Sequence, residues 1–192
     1  MYARSVVPTV LRKAAGQLLG TRRWTDTQVA KIAHGFRGSV LEIGNGRQDL
    51  GEEAYSLRHL FDQAVEFVRS DVNPTFGHEV VDVTSMEFED RFDLIICLYV
   101  LEHVYDVHSA AARLHRALRP GGRLVLAVPH VYPYHDEPID FWRFTEHSLR
   151  RLLERFDQVT VQAKGMRRFP KGLYVIATKA TDAAEPTGST RA

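Results

Sequence analysis

The residues of this chain with the most obvious chemistry sit around Val40-Leu41-Glu42-Ile43-Gly44-Asn45-Gly46. Val40, Leu41 and Ile43 make a short apolar run that stops at two glycines, the pattern of a buried strand entering a tight turn. Gly44 and Gly46 let the backbone come close to a ligand where a Cβ would intrude. Glu42 lies inside the apolar run, where an unpaired carboxylate is costly. It therefore needs a polar or cationic partner, and the ammonium group of a bound small molecule would be one. Two more acids follow strand-like runs, Asp71 in Ser70-Asp71-Val72-Asn73-Pro74 and Asp82 in Val81-Asp82-Val83-Thr84. Each also suits a plain turn. Cys97 reads as a small buried hydrophobe rather than a nucleophile. The segment 129–144 gathers Tyr132, Tyr134, Phe141, Trp142 and Phe144 beside His130, His135, Asp136, Glu137, Asp140 and Arg143. Aromatic faces among acids and an arginine can grip a sugar or a ring-bearing small molecule. The alternative is that Phe141 and Phe144 pack the loop down and Arg143 pairs with a neighbouring acid. His130, His135, Asp136 and Asp140 are of metal-ligand type, but a loop gives them no fixed spacing, and no metal is expected.

These residues need a scaffold, and the length of 192 residues fits one medium domain. Net charge is +1, which does not indicate nucleic-acid binding. Residues 1–40 carry Arg4, Arg12, Lys13, Arg22, Arg23, Lys31 and Arg37 against Asp26 alone, so the remainder is net acidic. A lone cysteine excludes an internal disulfide and fits a reducing, cytoplasmic setting. No apolar run approaches the roughly 20 residues that span a bilayer, and no signal peptide is read. Helical spacing predicts helices over Pro8–Leu19, from Thr25 or Asp26 to His34, over Glu52–Phe61, over His108–Leu118 and over Glu146–Arg155 capped by Thr145. Strands are predicted at Ser39–Ile43, Val65–Arg69, Glu79–Val83, Phe92–Leu98, Arg123–Val128, Gln158–Ala163 and Leu173–Thr178. Arg119-Pro120-Gly121-Gly122 reads as a helix end. Alternating strands and helices imply a mostly parallel sheet covered on both faces. The last two strands, joined by a loop, should pair antiparallel. The organisation expected is an N-terminal helical lid or cap over 1–38, one α/β domain over 39–179 and a disordered tail over 180–192. The basic N-terminal segment reads as a solvated lid, with docking to anionic lipid as the second reading.

From Ser39 to Lys179 the chain resembles a class I S-adenosylmethionine-dependent methyltransferase of the type 11 group. The resemblance is carried by Val40–Gly46, Ser70–Pro74, Val81–Thr84, Phe92–Cys97 running into Val100-Leu101-Glu102-His103-Val104, and Leu118–Leu124. Asp140–Thr145 is similar to a subset of bacterial members, some encoded near saccharide- and envelope-synthesis enzymes. The implied fold is α/β: a Rossmann-like, doubly wound, mostly parallel sheet with a C-terminal antiparallel hairpin, in three layers α/β/α. The implied cofactor is S-adenosyl-L-methionine. Gly44 and Gly46 would then face its amino-acid portion, with Glu42 and the carbonyl of Leu98 near its amino group. Asp71 would accept from the ribose hydroxyls, and Asp82 and the amide of Val83 would meet the adenine. One departure is Gln48, where the family pattern has a small residue.

Methyl transfer requires mainly that nucleophile and sulfonium be aligned. A hydroxyl acceptor also needs a base, and His103 and His135 are the candidates, as base or as substrate-positioning groups. His130, Tyr132, Tyr134, Trp142 and Arg143 are the candidate acceptor contacts. The expected partner is a small-molecule or saccharide acceptor, with peripheral membrane contact allowed. Two other readings stand beside this one. One is a module that keeps the fold and cofactor but has lost turnover. The other is a nicotinamide-dependent oxidoreductase, against which the terminal hairpin and the missing third glycine argue.

Overall fold

The computed structural model describes residues 20–46, 56–134, 139–166 and 168–181. Three helices lie among them: α1 (Thr21–Ala33), α2 (Val107–Ala117) and α3 (Glu146–Leu152). The strands are β1 (Ser39–Ile43), β2 (Glu66–Asp71), β3 (Glu79–Val80), β4 (Phe92–Leu98), β5 (Leu118–Pro129), β6 (Gln158–Met166) and β7 (Phe169–Thr178). Short 3-10 turns occupy Arg58–Leu60, Pro74–Phe76 and Leu101–His103.

One sheet runs in the order β3-β2-β1-β4-β5-β7-β6. The first five strands are parallel, and β7 runs antiparallel to both β5 and β6. Successive side chains of a strand point to opposite faces, so the unbroken apolar runs of β1, β4 and β5 feed two cores. On one face Leu41, Ile95 and Leu124 pack under Leu114 of α2 and Leu149 of α3. On the other, Val40, Leu94, Ile96 and Val125 pack under Val29 and Ala33 of α1 and Phe61. Each such buried Leu or Ile contributes on the order of 1.5–3 kcal/mol. The result is the expected three-layer α/β/α arrangement with a terminal antiparallel hairpin.

Several boundaries differ from those the sequence predicts. Helix α1 starts at Thr21, four residues before Thr25, because Gly20 adopts φ 61 and caps it. Thr25 is instead interior, its hydroxyl donating to the Thr21 carbonyl at 2.9 Å. The expected strand Glu79–Val83 is only Glu79–Val80, since the amides of Ser85 and Met86 turn back to the Asp82 carbonyl. Helix α2 ends at Ala117, just before Leu118, where β5 begins opposite Phe92, and Arg119–Gly122 form a bulge near the start of that strand. Arg119 is fixed there by Asp93, 2.7 Å away. Helix α3 ends at Leu152 rather than Arg155. Strands β6 and β7 are longer than expected, reaching Met166 and starting at Phe169. Of the helix expected over Glu52–Phe61, the described part holds only the turn Arg58–Leu60. The helix expected over Pro8–Leu19 and the tail beyond Thr181 lie outside the described residues.

Candidate cofactor and acceptor site

Strands β1, β2, β4 and β5 all end on one edge of the sheet, and the polar residues singled out by type gather there. Such an edge is where open parallel sheets take their ligands. At the end of β1 the chain turns through Gly44 at φ 79 and Gly46 at φ 67. The amides of Gly44 and Asn45 both donate to the Ser70 carbonyl, at 2.9 and 3.1 Å. A Cβ on Gly44 would overlap Val100 Cγ2. Beside Gly46, no atom of a described residue lies within 4 Å of where a Cβ would be. The turn is thus pinned on one side and, among the described residues, open on the other.

Asp71, at the last position of β2, is buried and faces this turn. Its Oδ2 accepts from the Gly46 amide and its Oδ1 from the Asn73 amide, both at 2.9 Å. Each oxygen keeps a further lone pair for another donor. Glu42 is also buried, and its partners are internal. Ser56 Oγ donates to Oε2 at 2.8 Å and the Leu57 amide to Oε1 at 2.9 Å. Burial raises the Glu42 carboxyl above its ordinary value despite these bonds. The partner the sequence demanded for Glu42 is therefore supplied by the chain itself. Asp82 is exposed, and its Oδ1 accepts from the amide and hydroxyl of Thr84 at 2.8 and 2.7 Å, as a turn acid does. The Val83 side chain is in the core. Leu98 ends β4 and packs on the α1 side. Cys97 is fully buried, and burial raises its thiol far above the ordinary range.

After β4 comes a residue that sequence reasoning passed over. Tyr99 has φ 58, a conformation rarely tolerated by a residue with a Cβ. Its hydroxyl is 2.8 Å from Thr25 Oγ1, and the Arg22 guanidinium lies 5.6 Å over its ring. Three residues on, Glu102 is about as buried as Tyr174, at 1% exposure. Its Oε2 has no hydrogen-bond partner among the described residues. Burial pushes its carboxyl up to about 8, with the Arg143 charge opposing and the Asp140 charge reinforcing the rise. An acid between the apolar Val100-Leu101 and Val104 was the one available signal. It is the same signal that had marked Glu42.

The loop after β5 is clasped to this turn. His103 Nδ1 is 2.8 Å from the Ile139 carbonyl, which can only accept, so the proton sits on Nδ1. His103 Nε2 is 3.9 Å from Glu102 Oε1. The amides of Phe141 and Trp142 donate to the Glu102 carbonyl at 2.8 and 3.2 Å, and Trp142 Nε1 donates to the Val104 carbonyl at 2.9 Å. Tyr105 stacks on Trp142 and meets Phe141 edge-on. Arg143 forms a bidentate pair with Asp140 at 2.5 and 2.6 Å, the internal pairing weighed from sequence. His130 Nδ1 donates to the Phe144 carbonyl at 2.6 Å, and Phe144 is core. Tyr132 is half-buried and Tyr134 exposed. His135 lies outside the described residues, as does Asp136. His103, Trp142 and Arg143 are thus brought together, and the Tyr134 ring is exposed.

A family model described as Methyltransferase domain matches residues 21–163. The chain belongs to the S-adenosylmethionine-dependent methyltransferases. Two curated relatives of this methyltransferase are ubiquinone biosynthesis O-methyltransferases, from Azotobacter vinelandii and Pseudomonas syringae pv. tomato. They are 30% and 29% identical over 76 residues, 40% of this chain, and the match spans 31% of each relative. The methyltransferase therefore matches about a third of the length of those relatives. Among solved structures, the 1,6-didemethyltoxoflavin-N1-methyltransferase of Burkholderia thailandensis, with its substrate and S-adenosylhomocysteine bound, gives a TM-score of 0.62 at 22% identity. It covers 94% of this chain and 92% of that one. The N-methyltransferase NodS of Bradyrhizobium japonicum, in complex with S-adenosylhomocysteine, gives 0.58 at 19% identity, covering 82% and 86%. At these identities the likeness is one of fold. The methyltransferase's own glycine turn and Asp71 fit the cofactor of the family. Among the described residues the space beside Gly46 is open, and the carboxylate at the end of β2 keeps lone pairs for further donors.

Proposed function

We propose that this chain methylates a small molecule bearing a hydroxyl or amine, using S-adenosylmethionine, at the sheet edge between Gly44 and the clasped loop after β5. The observation that supports it is the joining of Asp71 to the glycine turn through the Gly46 amide, on the edge that also holds His103. In this reading Gly44 and Gly46 lie against the amino-acid end of the cofactor and Asp71 takes the ribose hydroxyls. Asp82, the Val83 amide and the Leu98 carbonyl complete the contacts. Glu42 acts through the segment it holds, Ser56 and Leu57, rather than as a free carboxylate. The bound cofactor supplies a methyl group activated on a sulfonium.

The protein's part in the reaction is to hold the acceptor in line, exclude water and take a proton where one must leave. With Nδ1 donating to the Ile139 carbonyl, His103 presents the lone pair of Nε2 as the base. His135 remains the alternative base, with Tyr132, Tyr134, Trp142, Arg143 and His130 shaping the acceptor pocket. The curated relatives are named as O-methyltransferases. That name and the fixed tautomer of His103 favour a hydroxyl acceptor, and a saccharide is one class that carries it. The lone buried cysteine suits a cytoplasmic setting. Calorimetric titration with S-adenosylmethionine, S-adenosylhomocysteine and NAD tests the cofactor half. Binding of the first two and not of NAD is expected, and binding of NAD alone would overturn it.

A further inference from the structure

At the far side of the sheet, β6 and β7 close into a hairpin whose tip carries Met166 and Phe169, 71% and 63% exposed. The two are cross-strand partners, so their side chains stand next to each other. Lys164 and Lys171 lie on the strands that carry them, and Arg168 in the turn between. From Gln158 to Thr181 the sequence holds Lys164, Arg167, Arg168, Lys171 and Lys179 and no Asp or Glu. The tip lies on the same edge as the candidate site, because Pro129 at the end of β5 is opposite Gly172. The amides of His130 and Val131 donate to the carbonyls of Lys171 and Pro170, both at 3.1 Å, so the loop after β5 is tied to the hairpin. Val131 adds another exposed apolar side chain there, and Lys164 reaches over the Trp24 ring of α1 at 5.6 Å.

We infer that the β6–β7 hairpin tip docks on an anionic lipid surface, Met166 and Phe169 entering the headgroup boundary while Lys164, Arg168 and Lys171 meet lipid phosphates. A stable protein interface needs on the order of 800 Å² from each partner, more than a two-residue apolar tip offers. A bilayer surface accepts isolated apolar side chains, and its negative potential complements an acid-free basic strip. Long cationic side chains suit such a boundary, since their stems lie along apolar material while the charge stays wet. Docked this way, the sheet edge that holds the candidate site faces the membrane. Docking does not depend on the reaction assigned to the site.

The test is co-sedimentation of the full chain with vesicles of phosphatidylcholine alone and of phosphatidylcholine mixed with phosphatidylglycerol. Binding to the mixed vesicles, weakening as salt rises, is expected. The variant Met166→Ser with Phe169→Ser, and the variant Lys164→Gln, Arg168→Gln and Lys171→Gln, should each bind less. Each cation removed near the surface should cost about fivefold, and the three together on the order of a hundredfold. Both variants should keep the circular dichroism of the parent and its affinity for S-adenosylhomocysteine. Equal binding to neutral and anionic vesicles overturns the inference. So does full binding by either variant, which would place the contact elsewhere, as in the basic N-terminal segment. Loss of S-adenosylhomocysteine binding by the parent would instead count against the proposed reaction and leave the docking result standing.

Discussion

Gly44 is constrained twice, by its backbone angle and by its neighbour. At φ 79 any side chain is strained, and a Cβ there meets Val100. Gly44→Val should abolish S-adenosylhomocysteine binding in a calorimetric titration. Normal affinity in a well-folded variant would make the turn purely structural. Asp71 joins two jobs, the proposed hold on the ribose and the observed hold on the Gly46 and Asn73 amides. A hydrogen bond to a charged group is worth about 1.5–3 kcal/mol, so Asp71→Ala should weaken cofactor binding by about tenfold or more. Asp71→Asn, able to accept but not charged, should lose less. Glu102 gives a prediction in pH. Its carboxyl titrates at about 8 in the folded protein against an ordinary 4.5. Between those values the folded state keeps a proton that the unfolded chain has released. Its contribution to stability is therefore full below about 4.5, falls as pH rises through that window and levels off above about 8. Glu102→Gln should remove that decline. Unfolding free energies from urea titrations of parent and variant at about pH 5 and about pH 8 should differ by a few kcal/mol in their pH dependence, since one pKa unit is about 1.4 kcal/mol. Parallel curves would mean that Glu102 is not held neutral. His103→Ala, assayed with the true acceptor, should lose about 10²–10⁴-fold in kcat while keeping cofactor affinity.

At the scale of elements, helix α1 is joined to the site through one strained residue. The Thr25–Tyr99 contact fixes the turn after β4 to the helix that covers one face of the sheet. A hydrogen bond of this kind is worth about 0.5–1.5 kcal/mol net. A double-mutant cycle with Thr25→Val and Tyr99→Phe should return a coupling energy in that range, and zero coupling would detach α1 from the turn. The caps were readable from residue types, as Thr145 shows with its full capping box on Ser148. Other starts were not. The apolar Leu118 and the glycines behind it fit a helix end equally well, until pairing with Phe92 and the ion pair of Arg119 with Asp93 draw them into β5.

The whole molecule places Cys97 in the middle of the sheet, fully buried in the core under α2 and α3. A thiol held so far above its ordinary range presents almost no thiolate. The native protein should resist alkylation by iodoacetamide and react only when urea unfolds it, and fast labelling of the folded form would contradict the sheet order. The same sheet order puts the acidic and histidine-bearing turns on one edge and sets the hairpin carrying Lys164, Arg168 and Lys171 at its flank.

Much of this was already determined by the sequence. The short, nearly unbroken apolar runs fixed strands such as Ser39–Ile43 and Phe92–Leu98, because burial on both faces leaves no other use for them. The absence of a helix between the last two strands dictated their antiparallel pairing. The order of the glycine turn, Asp71 and the Val100–Val104 motif named the family. What the sequence left open was which side chains pay attention to the protein and which to a ligand. Glu42 could have waited for an ammonium group, but Ser56 and Leu57 reach it. Arg143 could have gripped an acceptor, but Asp140 holds it. Tyr99 gives no sign in one dimension of its left-handed backbone. Local pattern decides which elements form, since it sets how apolar surface is buried. The partner of a polar group depends on residues far apart in the chain, so only the folded arrangement could decide it.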